Sequence, residues 1–147
     1  MRNHYILSSG NRRDNLGQLI PGNPAAWMDD LLDMGVWGGN DDTPNFMQLK
    51  KGDRVVVQSP ATGFVATATV QSAPRRTRKA VLRNRSCTHE VSLKVRRFRT
   101  PVPRTQVLRR RVSRAAGDAR ISSTWANFFI RGIRPVSNSV FQTIVKG

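Results

Sequence analysis

Few residues in this chain could do covalent chemistry. The two histidines, His4 and His89, stand in no ligand-spaced or triad-like setting, and the one cysteine, Cys87, lies two residues before His89. Neighbouring positive charge lowers a thiol's pKa and favours the nucleophilic thiolate. A thiol and an imidazole two residues apart on an extended segment still lack a third group to orient them. A lone cysteine also excludes an intramolecular disulfide and any multi-cysteine zinc site. The carboxylates Asp29, Asp30, Asp33, Asp41 and Asp42 fall within one short stretch. A hydrolytic metal centre needs acids on separate rigid elements beside a water-activating group, so these acids read as a solvated face. The glycine run Gly35 to Gly39 lacks the Gly-Lys-Ser/Thr ending of a phosphate loop. No catalytic residue, metal site or cofactor is assigned, and the expectation is a protein that binds rather than catalyses.

Binding chemistry is richer. The 147 residues carry 25 Lys+Arg against 9 Asp+Glu, a formal net charge of +16. Residues 1–53 hold Arg2, Arg12, Arg13, Lys50 and Lys51 against seven aspartates, a net of −2. Residues 54–147 hold the other 20 basic residues against Glu90 and Asp118 alone, a net of +18. An asymmetry of this kind marks a polyanion-binding face or tail. The expected phosphate contacts are Arg75, Arg76, Arg78, Lys79, Arg83, Arg85, Arg96, Arg97, Arg99, Arg109, Arg110, Arg111 and Arg114. Of the three tryptophans, Trp37 precedes Gly38-Gly39-Asn40-Asp41-Asp42, which reads as a polar loop and gives the indole a wet neighbourhood. An indole placed there suits stacking of an unpaired base, worth roughly 1–3 kcal/mol. Polar groups that could read the base edge are Asn40, Ser8 and Gln58. The competing reading makes Trp37 a plug at the end of a core. Trp27 and Trp125 read first as core and second as cage walls.

The elements that must position these residues are short. His4 to Ser9 reads as a buried strand, and Pro24 to Met34 as a helix with Asn23 able to cap it and Pro24 at its first position. Lys51-Gly52-Asp53 is a turn, followed by a hairpin of strands Arg54–Gln58 and Phe64–Val70. From Pro74 to Thr88 the apolar pattern fails, which predicts a loop or irregular ribbon. Val91 to Arg96 alternates as a strand with a basic solvated face, and Phe98 to Val112 is broken by Pro101 and Pro103. Thr124 can cap a turn holding Trp125, Ile130 to Arg134 can form a last strand, and Ser137 caps a helix with Val140, Phe141, Ile144 and Val145 on one face.

In this order the residues resemble a known family. Tyr5-Ile6-Leu7-Ser8-Ser9, a helix, Gly35-Val36-Trp37-Gly38-Gly39-Asn40, Leu49-Lys50-Lys51-Gly52-Asp53-Arg54-Val55-Val56-Val57 and a returning strand Gly63–Val70 are similar to the EVE domain of the PUA-like superfamily, related to YTH domains. Arg134-Pro135-Val136-Ser137 with Phe141 and Ile144 resembles the family's closing strand and helix. The likeness spans residues 4–70 and 130–145. The chain departs from the pattern in having no arginine in Trp37-Gly38-Gly39-Asn40 and in carrying Gln58 where family members often carry an aromatic.

The resemblance implies an α+β fold, a small PUA-like twisted β-barrel of about five to six strands flanked by short helices, as one domain over 1–147 with a divergent arginine-rich stretch at about 74–120. It implies a reader without catalysis, with Trp37 as a cage wall, Asn40 as its polar neighbour and Ser8 nearby. The expected partner is DNA or RNA carrying modified or unpaired bases, with no membrane and no small-molecule substrate. No apolar run approaches a membrane span and the N-terminus lacks a signal-peptide core, so the expected location is cytoplasmic, or the nucleoid if the partner is DNA. Two rivals remain: a basic structural or ribosome-associated protein that coats nucleic acid, and a modification-dependent nuclease component.

Overall fold

Alternation along two neighbouring strands divides the core in two. In β1 (His4–Ser8), Tyr5 and Leu7 face one side and Ile6 the other; in β3 (Arg54–Ser59), Val55 and Val57 join the first side and Val56 the second. The computed structural model describes residues 2–8, 24–40, 43–59, 62–77, 87–125 and 132–147, and only the backbone of 24–27. β1 and β3 run parallel, with Ser8 opposite Gln58 at their carboxyl ends. Around them β2 (Val36–Gly39), β4 (Gly63–Val70), β5 (Arg75–Arg76), β6 (His89–Val102) and β7 (Gly132–Val136) complete a seven-stranded sheet in the order β2-β6-β4-β3-β1-β7, with β5 paired to β6 off this path. The sheet curls into a half-barrel, a PUA-like α+β arrangement.

Helices cover both faces. α1 (Pro24–Met34) places Met28, Leu31 and Leu32 in the first cluster with Trp37, Phe46, Leu49, Val91 and Leu93. α2 (Gln106–Ala116), α3 (Arg120–Ser123) and α4 (Asn138–Val145) build the second from Leu108, Val112, Ile121, Val140, Phe141 and Ile144. Ser137 caps α4 as expected, its hydroxyl accepting from the Val140 amide at 3.1 Å. The Lys51-Gly52-Asp53 turn closes on a fully buried carboxylate. Asp53 accepts from the Asn3 and Lys50 amides, each at 3.1 Å, and from Lys50 Nζ at 2.8 Å, so one side chain ties β1 to the turn before β3.

Four segments differ from expectation. Residues 106–116, read as part of an interrupted arginine-rich stretch, form α2. Thr105 accepts from the Leu108 amide at 3.1 Å and Gly117, with φ 69°, ends the helix. The three arginines hide a helical spacing carried by Leu108 and Val112 alone. β6 passes through Pro101 because the ladder with β4 slips there. Phe64 pairs with Val102 and Ala66 with Arg97, so the residues between bulge and the missing proline N–H breaks no rung. β2 runs on through Gly38 and Gly39, where a loop was expected, and the two-residue β5 lies within the predicted ribbon.

Candidate nucleic-acid interface

Trp37 lies in a strand and not in the polar loop its glycine-rich surroundings suggest. Across the ladder, Trp37 pairs with Val91, Gly38 with Glu90 and Gly39 with His89. Pairing to β6 keeps the two glycines extended despite their low strand propensity. Glycine is required at 39, since a Cβ there would stand 2.7 Å from the Phe46 ring. Packed in the first cluster, Trp37 is 5% exposed.

At the end of β2 the Asn40 side chain is fixed. Its Oδ1 accepts from the Thr88 amide at 2.9 Å and from Thr88 Oγ1 at 3.2 Å, while its own amide donates to Thr43 Oγ1 at 2.9 Å. The Thr88 amide also reaches the Gly39 carbonyl at 3.2 Å. With Oδ1 spent on Thr88, the carboxamide presents Nδ2 as a donor, and this nitrogen has no hydrogen bond among the described residues.

The remaining base-pocket candidates gather on the other face of the sheet. Trp125 Nε1 donates to Gln58 Oε1 at 3.1 Å, and Gln58 Nε2 donates to Ser8 Oγ at 2.9 Å. All three residues are buried. Phe64 meets Trp125 edge-on at 6.2 Å, and the Arg109 guanidinium lies 5.8 Å from the Trp125 ring centre. Gln58 therefore spends both ends of its amide within the fold. Trp27 lies in α1 by its backbone; its side chain, like Asp41 and Asp42, is outside the described residues.

The cations divide by what they already hold. Arg97 is bound by two carboxylates of α1, Asp29 at 3.0 Å and Asp33 at 2.7 Å, and the bond to Asp29 is the main cause that raises its pKa. Arg75 donates to Ser72 and Ser92 and stands 3.6 Å from Glu90, a buried carboxylate whose Oε2 makes no hydrogen bond. Arg76, Arg96, Arg99, Arg110, Arg111 and Arg114 are exposed and have no acidic partner among the described residues. Arg78, Lys79, Arg83 and Arg85 lie outside the described residues. Sequence reasoning missed Arg104. It donates to the Ser59 carbonyl at 2.7 Å, and burial, then Arg109, lower its pKa. Its signal was the position just before the Thr105 cap. Among the described residues no three metal-ligating side chains gather, and no helix is long and apolar enough to cross a membrane.

No protein-family model matches the chain, and no curated protein matches it in sequence. Solved structures do match in fold. The human THYN1 protein in complex with 5-methylcytosine-containing DNA is 14% identical, with a TM-score of 0.60 over 98% of this chain and 96% of that one. The NMR structure of Rpa0253 from Rhodopseudomonas palustris is 14% identical, with a TM-score of 0.58 over 98% and 91%. The YTH domain-containing protein mmi1, in an RNA complex, is 13% identical, with a TM-score of 0.51 over 80% and 68%. These likenesses establish the PUA-like fold that the residue order suggested.

Proposed function

We propose that this protein is a non-enzymatic nucleic-acid reader that takes a modified or unpaired base at Asn40, at the end of the strand that the buried Trp37 anchors in the core, and holds the flanking phosphates with its arginines. The observation that carries this reading is the Asn40 carboxamide, fixed just past the end of the strand that holds Trp37, with its Nδ2 donor unbonded among the described residues and Arg76, which has no acidic partner among them, across β6. Arg76 and Gly39 both pair with His89, from opposite sides of β6. At about 4.8 Å per strand their backbones stand roughly 10 Å apart, so a long guanidinium side chain can reach a phosphate near the base. The fold supports the partner class, since it is shared by a protein bound to methylated DNA and by one bound to RNA. Phosphate contacts give affinity and register, and the base contact gives selectivity.

Ser8, Gln58 and Trp125 act here as a brace for the ends of β1 and β3 and not as the reading edge, because their polar atoms serve one another. The experiment is a binding comparison of plain and base-modified oligonucleotides with Asn40→Asp and Trp37→Leu. Asn40→Asp keeps an acceptor for Thr88 and removes the donor. Both variants should lose the preference for the modified base while keeping salt-sensitive binding to plain nucleic acid. A preference that survives both changes would contradict the assignment.

A further inference from the structure

The arginine-rich half of the chain does not share one face. Arg76 lies across β6 from the Trp37 strand and Arg97 is folded onto α1, whereas α2 lies over the second core cluster, against α4. Arg111 and Arg114 stand three apart on α2 and so are neighbours on its surface. With Thr143 and Lys146 of the α4 segment they wall a groove of about 330 Å³. On the other side of Arg114 a hollow of about 450 Å³ is lined by Arg110, Ser113 and Ser122 among others, and Ser113 Oγ is buried without a hydrogen-bond partner among the described residues. Asp118, the one carboxylate that lines it among the described residues, is engaged by Arg120 at 2.8 and 3.0 Å.

Cations near helix C-termini complement the helix dipole, which accounts for Arg114 in the last turn of α2 and Lys146 after α4. It does not account for Arg110 and Arg111 in mid-helix. Four cations without an acidic partner among the described residues, around two hollows, form a surface suited to tetrahedral oxyanions, which guanidinium groups grip in a two-pronged manner.

We propose that the α2–α4 groove binds backbone phosphodiesters of nucleic acid, as a second contact surface on the opposite face of the sheet from Trp37. The proposal rests on the nucleic-acid reading above and deepens it. Two contact surfaces on opposite faces mean that affinity and base selectivity are separable by mutation.

The test compares wild type, the Arg111→Gln/Arg114→Gln/Lys146→Gln triple variant and an Arg97→Gln control. The probes are duplex DNA and single-stranded RNA, each plain and base-methylated, measured by fluorescence anisotropy across a salt series. Surface changes of this type alter stability by about 0.5 kcal/mol or less, so the triple variant should fold, which circular dichroism verifies. With duplex DNA, each phosphate that the protein no longer neutralises lowers the slope of log K against log salt by about 0.9. The triple variant should lose about 2–3 in slope on plain and methylated probes alike, with their affinity ratio unchanged and the control like wild type. An unchanged slope in the triple variant, with a wild type that binds, would overturn the groove while leaving the base reading intact. A reduced slope with no preference for methylated probes in the wild type would support the groove and overturn the base reading. A wild type that binds none of the probes would overturn both.

Discussion

The Trp125 indole N–H donates to the Gln58 side chain at 3.1 Å, across 67 residues of sequence, and that amide passes its own donor to Ser8 at 2.9 Å. The relay joins the carboxyl ends of the parallel strands β1 and β3 to the segment that follows α3. Removing one member of a buried polar set costs the desolvation of the groups it served, about 1–3 kcal/mol. Gln58→Leu should therefore lower unfolding free energy by about that amount in urea titration, with the preference for a modified base retained. A variant as stable as wild type would show that the relay is not a brace.

Arg97 separates charge count from charge available. Both of its carboxylate partners are exposed, so the cluster adds about 1 kcal/mol or less to stability. Arg97→Ala should shift the urea midpoint little and leave the salt dependence of binding as it was. A large drop in salt dependence would mean that Asp29 and Asp33 release this guanidinium to nucleic acid.

His4 gives stability a pH dependence. Burial, then Arg54 and Arg2, hold its pKa below the usual 6.5, outweighing the opposite pull of Asp53. The folded chain thus takes up the proton less readily than the unfolded chain. The stability this histidine contributes is full above pH 6.5 and is lost as the pH falls through its folded-state value. Equilibrium unfolding from pH 7.5 to 5 should show declining stability, with a flatter profile in His4→Gln. Identical profiles would place the dependence on other groups.

Gly39 tests the packing under the proposed reading strand. A methyl group there would collide with the Phe46 ring, and overpacking of this kind costs about 1–3 kcal/mol. Gly39→Ala should lower the thermal midpoint and weaken base-selective binding more than binding to plain nucleic acid, since the displaced β2 backbone carries Trp37 and Asn40.

The hairpin β3–β4, the helix α1 and the Ser137-capped α4 were legible because alternation, a proline at the first helical turn and a capping hydroxyl each act locally. The same holds for the Lys51-Gly52-Asp53 turn. What could not be read depends on partners distant in sequence. Trp37 is drawn into a strand by Val91, 54 residues away, and glycines that suggest a loop are held extended by the ladder. Helix α2 was hidden because arginine contributes nothing to an apolar stripe, so its spacing rested on Leu108 and Val112. The joining of Ser8, Gln58 and Trp125 follows from β1–β3 register and was legible only as a set of polar and aromatic residues. Net charge suggested a polyanion partner, yet not that two aspartates of α1 would occupy Arg97.

On the proposed reading, recognition and adhesion reside in different residues. The most direct test is the ratio of affinities for modified and plain oligonucleotides of one sequence, measured in wild type and Asn40→Asp at low and moderate salt. We predict a ratio well above one in wild type at both salts and a ratio near one in Asn40→Asp, with salt sensitivity preserved. Equal binding of modified and plain oligonucleotides by the wild type, across DNA and RNA, would contradict the account.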